Sequence, residues 1–297
     1  MPGLNDLPPT YQYLRPGKKL SHVWCSGCGN GVVLNSLLRA IHKLGLSKDE
    51  VCLISGIGCS SRMPVYADFC SIHTAHGRAL TFATGVKLAK PDMKVIVITG
   101  DGDATAIGGN HFIHTARRNI DITVILVDNY NYGMTGGQYS PTTPVGKRAT
   151  TAPYGNLEKP FDICELARGA GAPFIARSTV YKAVELTNLI AKGIEKEAFA
   201  LVDVISFCHT IHGRLNKMPR ADDMMKWLKD NAVSAKAAAK MTPEQIGDKI
   251  TTGVLLDLDE KSYSAKYREF WNEKIRPKLD DTTSFNITWE QGREFLC

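Results

Sequence analysis

The sequence lacks a hydrophobic segment that would cross a membrane as a helix, since no stretch approaches about 18 uninterrupted apolar residues. It also lacks long basic runs, and a net charge of +6 over 297 residues is too modest for a dedicated nucleic-acid-binding protein. Residues 1–19 are polar and proline-rich, without the apolar core of a signal peptide. We therefore expect a cytoplasmic protein that binds neither membranes nor nucleic acids.

The cysteines are few and mostly far apart. The 8 cysteines include one Cys-x-x-Cys pair, Cys25 and Cys28 in WCSGCGNG, and none of the closely spaced cysteine runs of a built-in ferredoxin domain. In the cytoplasm such cysteines are thiols or metal ligands and not a disulfide scaffold. The pair alone fits a redox dithiol, half of a zinc site or part of an iron–sulfur site, so it leaves three kinds of protein open.

Strand and helix patterns alternate along the chain as far as residue 207. Buried strands are predicted at 51–56, 94–100, 122–129, 174–178 and 199–207, and helices at 31–44, 77–90, 105–119, 161–170 and 181–196. The strand at 94–100 shows no polar alternation, as expected where both faces of a sheet are covered. This order predicts an α/β fold with a mostly parallel sheet flanked by helices.

Composition divides the chain into three parts. An N-terminal arm (1–20) precedes the α/β domain (21–212), and a charged, alanine-rich segment without strand patterns follows (213–297). We expect this C-terminal extension to be helical or irregular, and to wrap the domain or contact a partner subunit.

Unusual residues follow the predicted strands at the points where they end. Cys59 follows the first strand, Asp101 in GDGDA the second, Asn129 the third, and Cys208 the last. Because ligands collect at the carboxyl ends of parallel strands, we expect these residues at one edge of the sheet. The Asp101 carboxylate, the Asn129 amide oxygen and the main-chain carbonyl of Asn131 suit Mg²⁺, with coordination positions left for phosphate oxygens.

Several motifs together carry a family resemblance. GDGDA, followed by Asn129 and the NYNYG turn, resembles the thiamine diphosphate motif. With WCSGCGNG, GIGCSSRMP, HTAHGRA, GDGDATAIGGNH, NYGMTGGQYSPTTP and the late Cys208, residues 20–215 resemble the β subunit of the 2-oxoacid:ferredoxin oxidoreductases. The resemblance implies the thiamine diphosphate-binding fold and says little about 213–297.

The resemblance also implies three sets of site residues. The positions that hold one [4Fe–4S] cluster in this family correspond to Cys25, Cys28, Cys59 and Cys208. The Mg²⁺ ligands correspond to Asp101, Asn129 and the carbonyl of Asn131. The positions that line thiamine diphosphate correspond to Ile57, Gly58, Cys59, Ser60, His76, Gly102, Asp103, Gly133, Met134 and Thr135.

The implied reaction is the reversible, CoA-dependent oxidative decarboxylation of 2-oxoglutarate to succinyl-CoA and CO₂, with single electrons passed through the cluster to ferredoxin. Pyruvate or another 2-oxoacid stays open as the substrate. In this family the glutamate that activates thiamine belongs to an α subunit, and no second α/β unit is apparent here to supply it. We therefore expect a heterodimer or a dimer of heterodimers.

The cysteines also allow an interpretation that competes with the family resemblance. A zinc-stabilised α/β binding protein without catalysis is the competing interpretation, although structural zinc sites commonly use two Cys-x-x-Cys pairs and this chain has one.

Arg62 lies three residues after Cys59, in a loop expected beside the active centre. A guanidinium that points inward there can bind a substrate carboxylate and favours a dicarboxylic substrate such as 2-oxoglutarate; a surface position is the other possibility.

Overall fold

The computed structural model describes residues 8–17 and 22–277. The expected N-terminal arm is therefore described only from 8 to 17, and the expected extension only as far as 277; the rest of both lies outside the described residues.

One sheet organises the described chain. Its strands are β1 (Val51–Ser55), β2 (Cys70–His73), β3 (Lys94–Gly100), β4 (Thr123–Asp128), β5 (Phe174–Thr179), β6 (Ala200–Ile205), β7 (Ala232–Ser234) and β8 (Ile250–Asp257). They are ordered β2-β1-β3-β4-β6-β5-β8-β7, and every neighbouring pair is parallel except β5 with β8. The predicted α/β class with a mostly parallel sheet is confirmed.

Helices cover both faces of this sheet. They are α1 (Asn30–Lys43), α2 (Met63–Tyr66), α3 (Ala79–Ala89), α4 (Gly109–Arg117), α5 (Ile163–Gly169), α6 (Ala183–Glu195), α7 (Ala221–Asp230), α8 (Ala235–Ala238), α9 (Pro243–Ile246) and α10 (Tyr263–Phe270). Side chains of α1 and α6 pack on one face of the sheet, and side chains of α3, α4 and α5 pack on the other. Each Leu or Ile buried in these layers contributes about 1.5–3 kcal/mol, and this burial fixes the sheet that carries the loops.

The C-terminal extension differs from the expectation. It was expected to be helical or irregular, but β7 and β8 belong to it, and β8 pairs antiparallel with β5. The prediction that the extension 213–297 is only helical or irregular is therefore wrong. The physical reason is that β8 (ITTGVLLD) is only half-buried along most of its length and is interrupted by Gly253, so its hydrophobic pattern is weak.

The helix predicted at 105–119 is interrupted. A π-helical turn, Asp103–Ile107, comes first, and α4 begins after it at Gly109. Such turns are common at functional sites because they redirect side chains. The described residues contain no helix that is both long and apolar enough to span a membrane.

Candidate functional site

A cleft lies at the carboxyl edge of β1, β3 and β4. It is lined by Ile57, Gly58, Cys59, Ser60, His76, Gly100, Asp101, Gly102, Asp103, Val127, Asn129, Asn131, Tyr132, Gly133, Met134 and Thr135. The structure thus brings together every residue expected to line thiamine diphosphate and all three expected Mg²⁺ ligands. Gly100, Val127 and Tyr132 line the cleft as well and were not among the expected residues.

The carboxylate of Asp103 fixes the walls of this cleft. Its Oδ1 lies 2.6 Å from Nδ1 of His76 and accepts a hydrogen bond of 2.7 Å from the Gly77 amide. Its Oδ2 accepts a hydrogen bond of 2.7 Å from the Thr99 hydroxyl, and a longer one of 3.3 Å reaches Oδ1 from the Ile57 amide. Because Asp103 is 3% exposed, it joins the loops after β1 and β2 to the end of β3 from inside the protein.

Gly102 allows the Tyr132 ring to close one wall. A Cβ atom at position 102 would lie 2.1 Å from Cε1 of Tyr132, which is far inside van der Waals contact. The same ring meets His76 edge to face, with centroids 6.2 Å apart. The second glycine of GDG is therefore required by its packing against the Tyr132 ring, and this contact places Tyr132 in the cleft wall.

Asp101 is held from behind by the loop after β4. Its Oδ2 accepts hydrogen bonds from the hydroxyls of Ser140 (2.5 Å) and Thr142 (2.8 Å). Burial raises the pKa of the Asp101 carboxyl to about 6, and these two hydrogen bonds oppose the rise. The role of Ser140 and Thr142 was missed by sequence reasoning, although both lie within the motif NYGMTGGQYSPTTP.

The turn after β4 adopts an uncommon conformation. Tyr130 has φ of +63°, in the left-handed region that non-glycine residues rarely occupy. The conformation is held by hydrogen bonds from the Tyr130 amide to Asp128 Oδ1 (3.1 Å) and from the Thr143 hydroxyl to the Tyr130 carbonyl (2.7 Å). Asn129 and Asn131, on either side of Tyr130, both line the cleft.

Asn131 carries polar atoms that the described chain does not satisfy. Its side-chain oxygen and nitrogen are both buried, and neither has a hydrogen-bond partner among the described residues. Buried polar groups without partners are rare, and a bound ion or ligand is one usual explanation. With Asp101 and Asn129 in the same cleft, this oxygen-rich end fits a divalent cation and a phosphate group.

The four cysteines expected to hold a cluster converge beside the cleft. Cys25 Sγ and Cys208 Sγ lie 3.6 and 3.7 Å from the same Thr210 hydroxyl oxygen. A Cβ built on Gly133 would lie 3.6 Å from Cys208 Sγ and 3.7 Å from Cys59 Sγ. Cys28 is close enough for the other three thiols to raise its pKa.

The free thiols of Cys28 and Cys59 favour the protonated form over the thiolate. Burial is the main cause that raises the pKa of each to about 11, and neighbouring cysteines raise it further. Bound metal reverses this preference, because coordination favours deprotonated sulfur. Among the described residues, however, no three His, Cys, Asp or Glu side chains are arranged to bind one metal ion together.

The glycines of WCSGCGNG bring these cysteines together. Gly27 has φ of +82°, and a Cβ there would lie 2.8 Å from Cβ of Ala221. A Cβ on Gly29 would lie 2.3 Å from Oγ of Ser206, at the end of β6. The indole nitrogen of Trp24 donates a 2.6 Å hydrogen bond to the Cys59 carbonyl, which joins the first pair to the third cysteine.

Arg62 ends a short 3₁₀ helix, Ser60–Arg62, directly after Cys59. Its side chain is part-exposed, and within residues 8–17 and 22–277 no hydrogen bond or ion pair holds its guanidinium. Its charge opposes the rise in the pKa of Cys59 and lowers the pKa of His73, so Arg62 lies near the cleft although it does not line it.

Comparisons with known proteins show the family of this chain. Residues 56–204 match the family model described as "Thiamine pyrophosphate enzyme, C-terminal TPP binding domain". The chain is 50% identical over 255 residues to the "2-oxoglutarate synthase subunit KorB" of Methanocaldococcus jannaschii, covering 86% of this chain and 94% of that protein. It is 39% identical over 238 residues to the "2-oxoacid:ferredoxin oxidoreductase subunit beta" of Saccharolobus solfataricus, covering 80% and 77% of the two chains.

A solved structure is similar over nearly the whole chain. The "2-oxoglutarate:ferredoxin oxidoreductase from Magnetococcus marinus with 2-oxoglutarate, coenzyme A and succinyl-CoA bound" aligns with a TM-score of 0.80 and 33% identity. The alignment covers 95% of this chain and 94% of that one, so the likeness extends beyond the thiamine-binding segment.

Proposed function

The chain belongs to the β subunits of the 2-oxoacid:ferredoxin oxidoreductases, and from this we propose its reaction. With an α subunit it carries out the reversible oxidative decarboxylation of 2-oxoglutarate and CoA to succinyl-CoA and CO₂. The electrons pass singly through one [4Fe–4S] cluster to ferredoxin. Pyruvate or another 2-oxoacid is the alternative substrate for the same chemistry.

One observation carries this proposal: Cys59 belongs to both the cleft and the cysteine group. Residues of its loop line the cleft. Its Sγ and that of Cys208 lie 3.7 and 3.6 Å from a Cβ built on Gly133. A cofactor in the cleft and a cluster on the cysteines would then be direct neighbours. This is the arrangement that electron transfer between them requires.

The cleft suits thiamine diphosphate with Mg²⁺. The Asp101 carboxylate, the Asn129 side chain and the main-chain carbonyl of Asn131 would hold the metal. The open backbone at Gly58 leaves room for a phosphate, since nothing lies within 4 Å of a Cβ built there. When bound, thiamine diphosphate supplies the electron sink for decarboxylation, and the cluster supplies a one-electron acceptor. The chain's own contribution is to fix the cleft walls through Asp103 and to hold Asp101 through Ser140 and Thr142.

The cysteine group suits a cluster better than zinc. A single Zn²⁺ binds each ligand at about 2.3 Å for sulfur and needs all four thiols around one point. A cluster instead binds each thiolate through a different iron and so accepts thiols that are farther apart. The zinc-stabilised binding protein would also leave the cleft and its unpaired Asn131 atoms without a role.

Arg62 supports a dicarboxylic substrate. Its guanidinium is unpaired within the described chain and lies next to the Cys59 loop. A guanidinium binds a carboxylate through two parallel hydrogen bonds. A monocarboxylic acid such as pyruvate has no second carboxylate to accept them. We therefore assign Arg62 to the carboxylate of 2-oxoglutarate that lies farthest from the 2-oxo group.

The surface beside the cysteines supports an acidic electron carrier. Cys25 is exposed and contacts Thr210, and the segment after Thr210 carries the exposed Arg214 and Lys217, whereas Arg220 is paired with Asp222. An acidic ferredoxin would dock faster on such a positive surface, because complementary charge raises the association rate. Because all seven described cysteines are unpaired, we expect the reducing cytoplasm as the compartment.

The test is 2-oxoacid-dependent reduction of ferredoxin under anaerobic conditions, with the chain alone and with its α subunit. We expect the complex to reduce ferredoxin with 2-oxoglutarate and CoA, to be at least about tenfold less efficient with pyruvate, and the isolated chain to be nearly inactive. Strong activity of the isolated chain would refute the shared active site. A complex that prefers pyruvate would refute the role given to Arg62.

A further inference from the structure

A hydrogen-bonded chain joins His73 to the loop that carries Arg62. His73 is the last residue of β2 and lies opposite Ser55, the last residue of β1, in the parallel register. The Ser55 hydroxyl donates a 2.9 Å hydrogen bond to the carbonyl of Ser61, and its oxygen lies 2.9 Å from Nδ1 of His73. Ser61 directly precedes Arg62.

These contacts determine which nitrogen of His73 is free. Since a carbonyl only accepts, the single hydroxyl proton of Ser55 goes to Ser61, and the Ser55 oxygen must accept from Nδ1–H of His73. Ser55 is fully buried, so it fixes the ring from inside, while the His73 side chain is exposed at the rim of the sheet edge. Nε2 is therefore the nitrogen available to a ligand.

We propose that His73 is a second specificity-determining residue, which binds together with Arg62 the carboxylate of the substrate farthest from its 2-oxo group. The proposal rests on the proposed function, because it adds a partner for the same dicarboxylic substrate. The Ser55 hydroxyl connects the two residues, because it accepts from His73 and donates to the carbonyl of Ser61, which directly precedes Arg62. Neither His73 nor Arg62 has an acidic partner at 4 Å or less among the described residues. A guanidinium and an imidazole at one rim fit a single carboxylate, which can accept from the guanidinium and, once Nε2 is protonated, from the imidazole.

The protonation of His73 has a defined direction. Burial first and the charge of Arg62 second lower the pKa of His73, while the charge of Asp103 raises it. A bound carboxylate favours the imidazolium form, in which Nε2 also carries a proton. The KM for 2-oxoglutarate should therefore rise as the pH increases through the pKa of His73, and the KM for pyruvate should not follow it.

Two substitutions separate this role from a purely structural one. His73→Asn keeps an amide nitrogen near the position of Nδ1, so it preserves the bond to Ser55 and loses Nε2. His73→Gln places an amide nitrogen near Nε2 and loses the bond to Ser55. For the complex with the α subunit, we expect His73→Asn to raise the KM for 2-oxoglutarate about tenfold with a smaller change in kcat, and His73→Gln to restore part of the loss.

The outcomes are distinguishable. A structural role alone predicts the reverse order, with His73→Asn close to wild type and His73→Gln impaired with both substrates, and that result would overturn the proposal. His114→Asn is the matched control, because the contact of that imidazole is with Arg117 on its own helix. A wild-type complex that fails to use 2-oxoglutarate overturns the proposed function as well, whereas an active wild type with an unchanged KM in His73→Asn overturns the assignment of His73 alone.

Discussion

Nδ1 of His76 lies 2.6 Å from Oδ1 of Asp103, and this contact joins two loops that enter the cleft from different strands. The same carboxylate accepts from the amide of Gly77 and the hydroxyl of Thr99. Asp103 therefore acts on the cofactor cleft mainly by positioning its walls, and its removal has consequences for both stability and binding.

Replacing Asp103 by Asn should destabilise the chain and weaken cofactor binding. The amide nitrogen cannot accept the hydrogen bonds that a carboxylate oxygen accepts, and hydrogen bonds to charged groups contribute about 1.5–3 kcal/mol each. We expect the free energy of unfolding in urea to fall by at least about 2 kcal/mol, with a lower affinity for thiamine diphosphate by calorimetry. Asp223→Asn, on the exposed face of α7, is the control and should leave both unchanged. Equal effects from the two variants would contradict the positioning role.

Gly102→Ala should lower the affinity for thiamine diphosphate by about tenfold or more, since overpacking of this kind costs about 1–3 kcal/mol. The new methyl group would meet the Tyr132 ring, which must move into the cleft or away from His76. Gly85→Ala is the matched control, because nothing lies within 4 Å of a Cβ there and the residue is inside α3. The control should bind normally and gain roughly 0.5–1 kcal/mol of stability. Normal binding by Gly102→Ala would show that the ring does not shape the site.

Because of His212, the folded chain should be less stable in mild acid than at neutral pH. Burial, with a smaller contribution from the charge of Lys147, lowers the pKa of His212 from 6.5 to about 4. Between these values the unfolded chain binds a proton that the folded chain does not, so stability present above pH 6.5 is lost as the pH falls towards 4. From pH 7 to pH 5 this loss is about 2 kcal/mol.

The measurement is urea unfolding at both pH values for the wild type and for His212→Gln. The variant should lose about 2 kcal/mol less than the wild type over this range, because it has no imidazole to protonate. His114→Gln should behave like the wild type. A wild type and His212→Gln that lose stability in parallel would exclude His212 as the cause.

Cys25, Cys28, Cys59 and Cys208 should each be required for iron. Substituting Cys59 by Ser should reduce the iron of the anaerobically purified chain well below about four ions per chain, because one thiolate of the cluster is lost. Cys70→Ser is the control: Cys70 is exposed on β2, outside the group. Iron and acid-labile sulfide analysis provides the readout. Stoichiometric zinc with little iron in the wild type would instead favour the zinc interpretation.

The sequence predicted the central sheet because its strands are continuous apolar runs. β1, β3, β4, β5 and β6 were all located within a few residues, as were the helices that cover them. β2 (CSIH) was missed because it is a short, partly exposed edge strand with no hydrophobic pattern. β8 was missed for a related reason, since its pairing with β5 depends on the tertiary position of the extension.

The candidate site was predictable where its residues lie at or shortly after the carboxyl ends of strands. Asp101 and Asn129 directly follow β3 and β4, and Cys59 lies four residues after the end of β1. Parallel topology brings such positions together. Tyr132 and Thr142 were not predictable in the same way. Their contacts with Gly102 and Asp101 depend on the path of a long loop after β4, which local patterns do not specify.

The most direct test of the central claim is reduction of the chain's own cluster by substrate. The complex with the α subunit, loaded with thiamine diphosphate and Mg²⁺, is mixed anaerobically with 2-oxoglutarate and CoA in the absence of ferredoxin, and low-temperature electron paramagnetic resonance is recorded. We predict the signal of a reduced [4Fe–4S] cluster that depends on 2-oxoglutarate and is replaced by that of reduced ferredoxin when ferredoxin is added in excess. A fully loaded complex that releases CO₂ from 2-oxoglutarate without any such signal would contradict it.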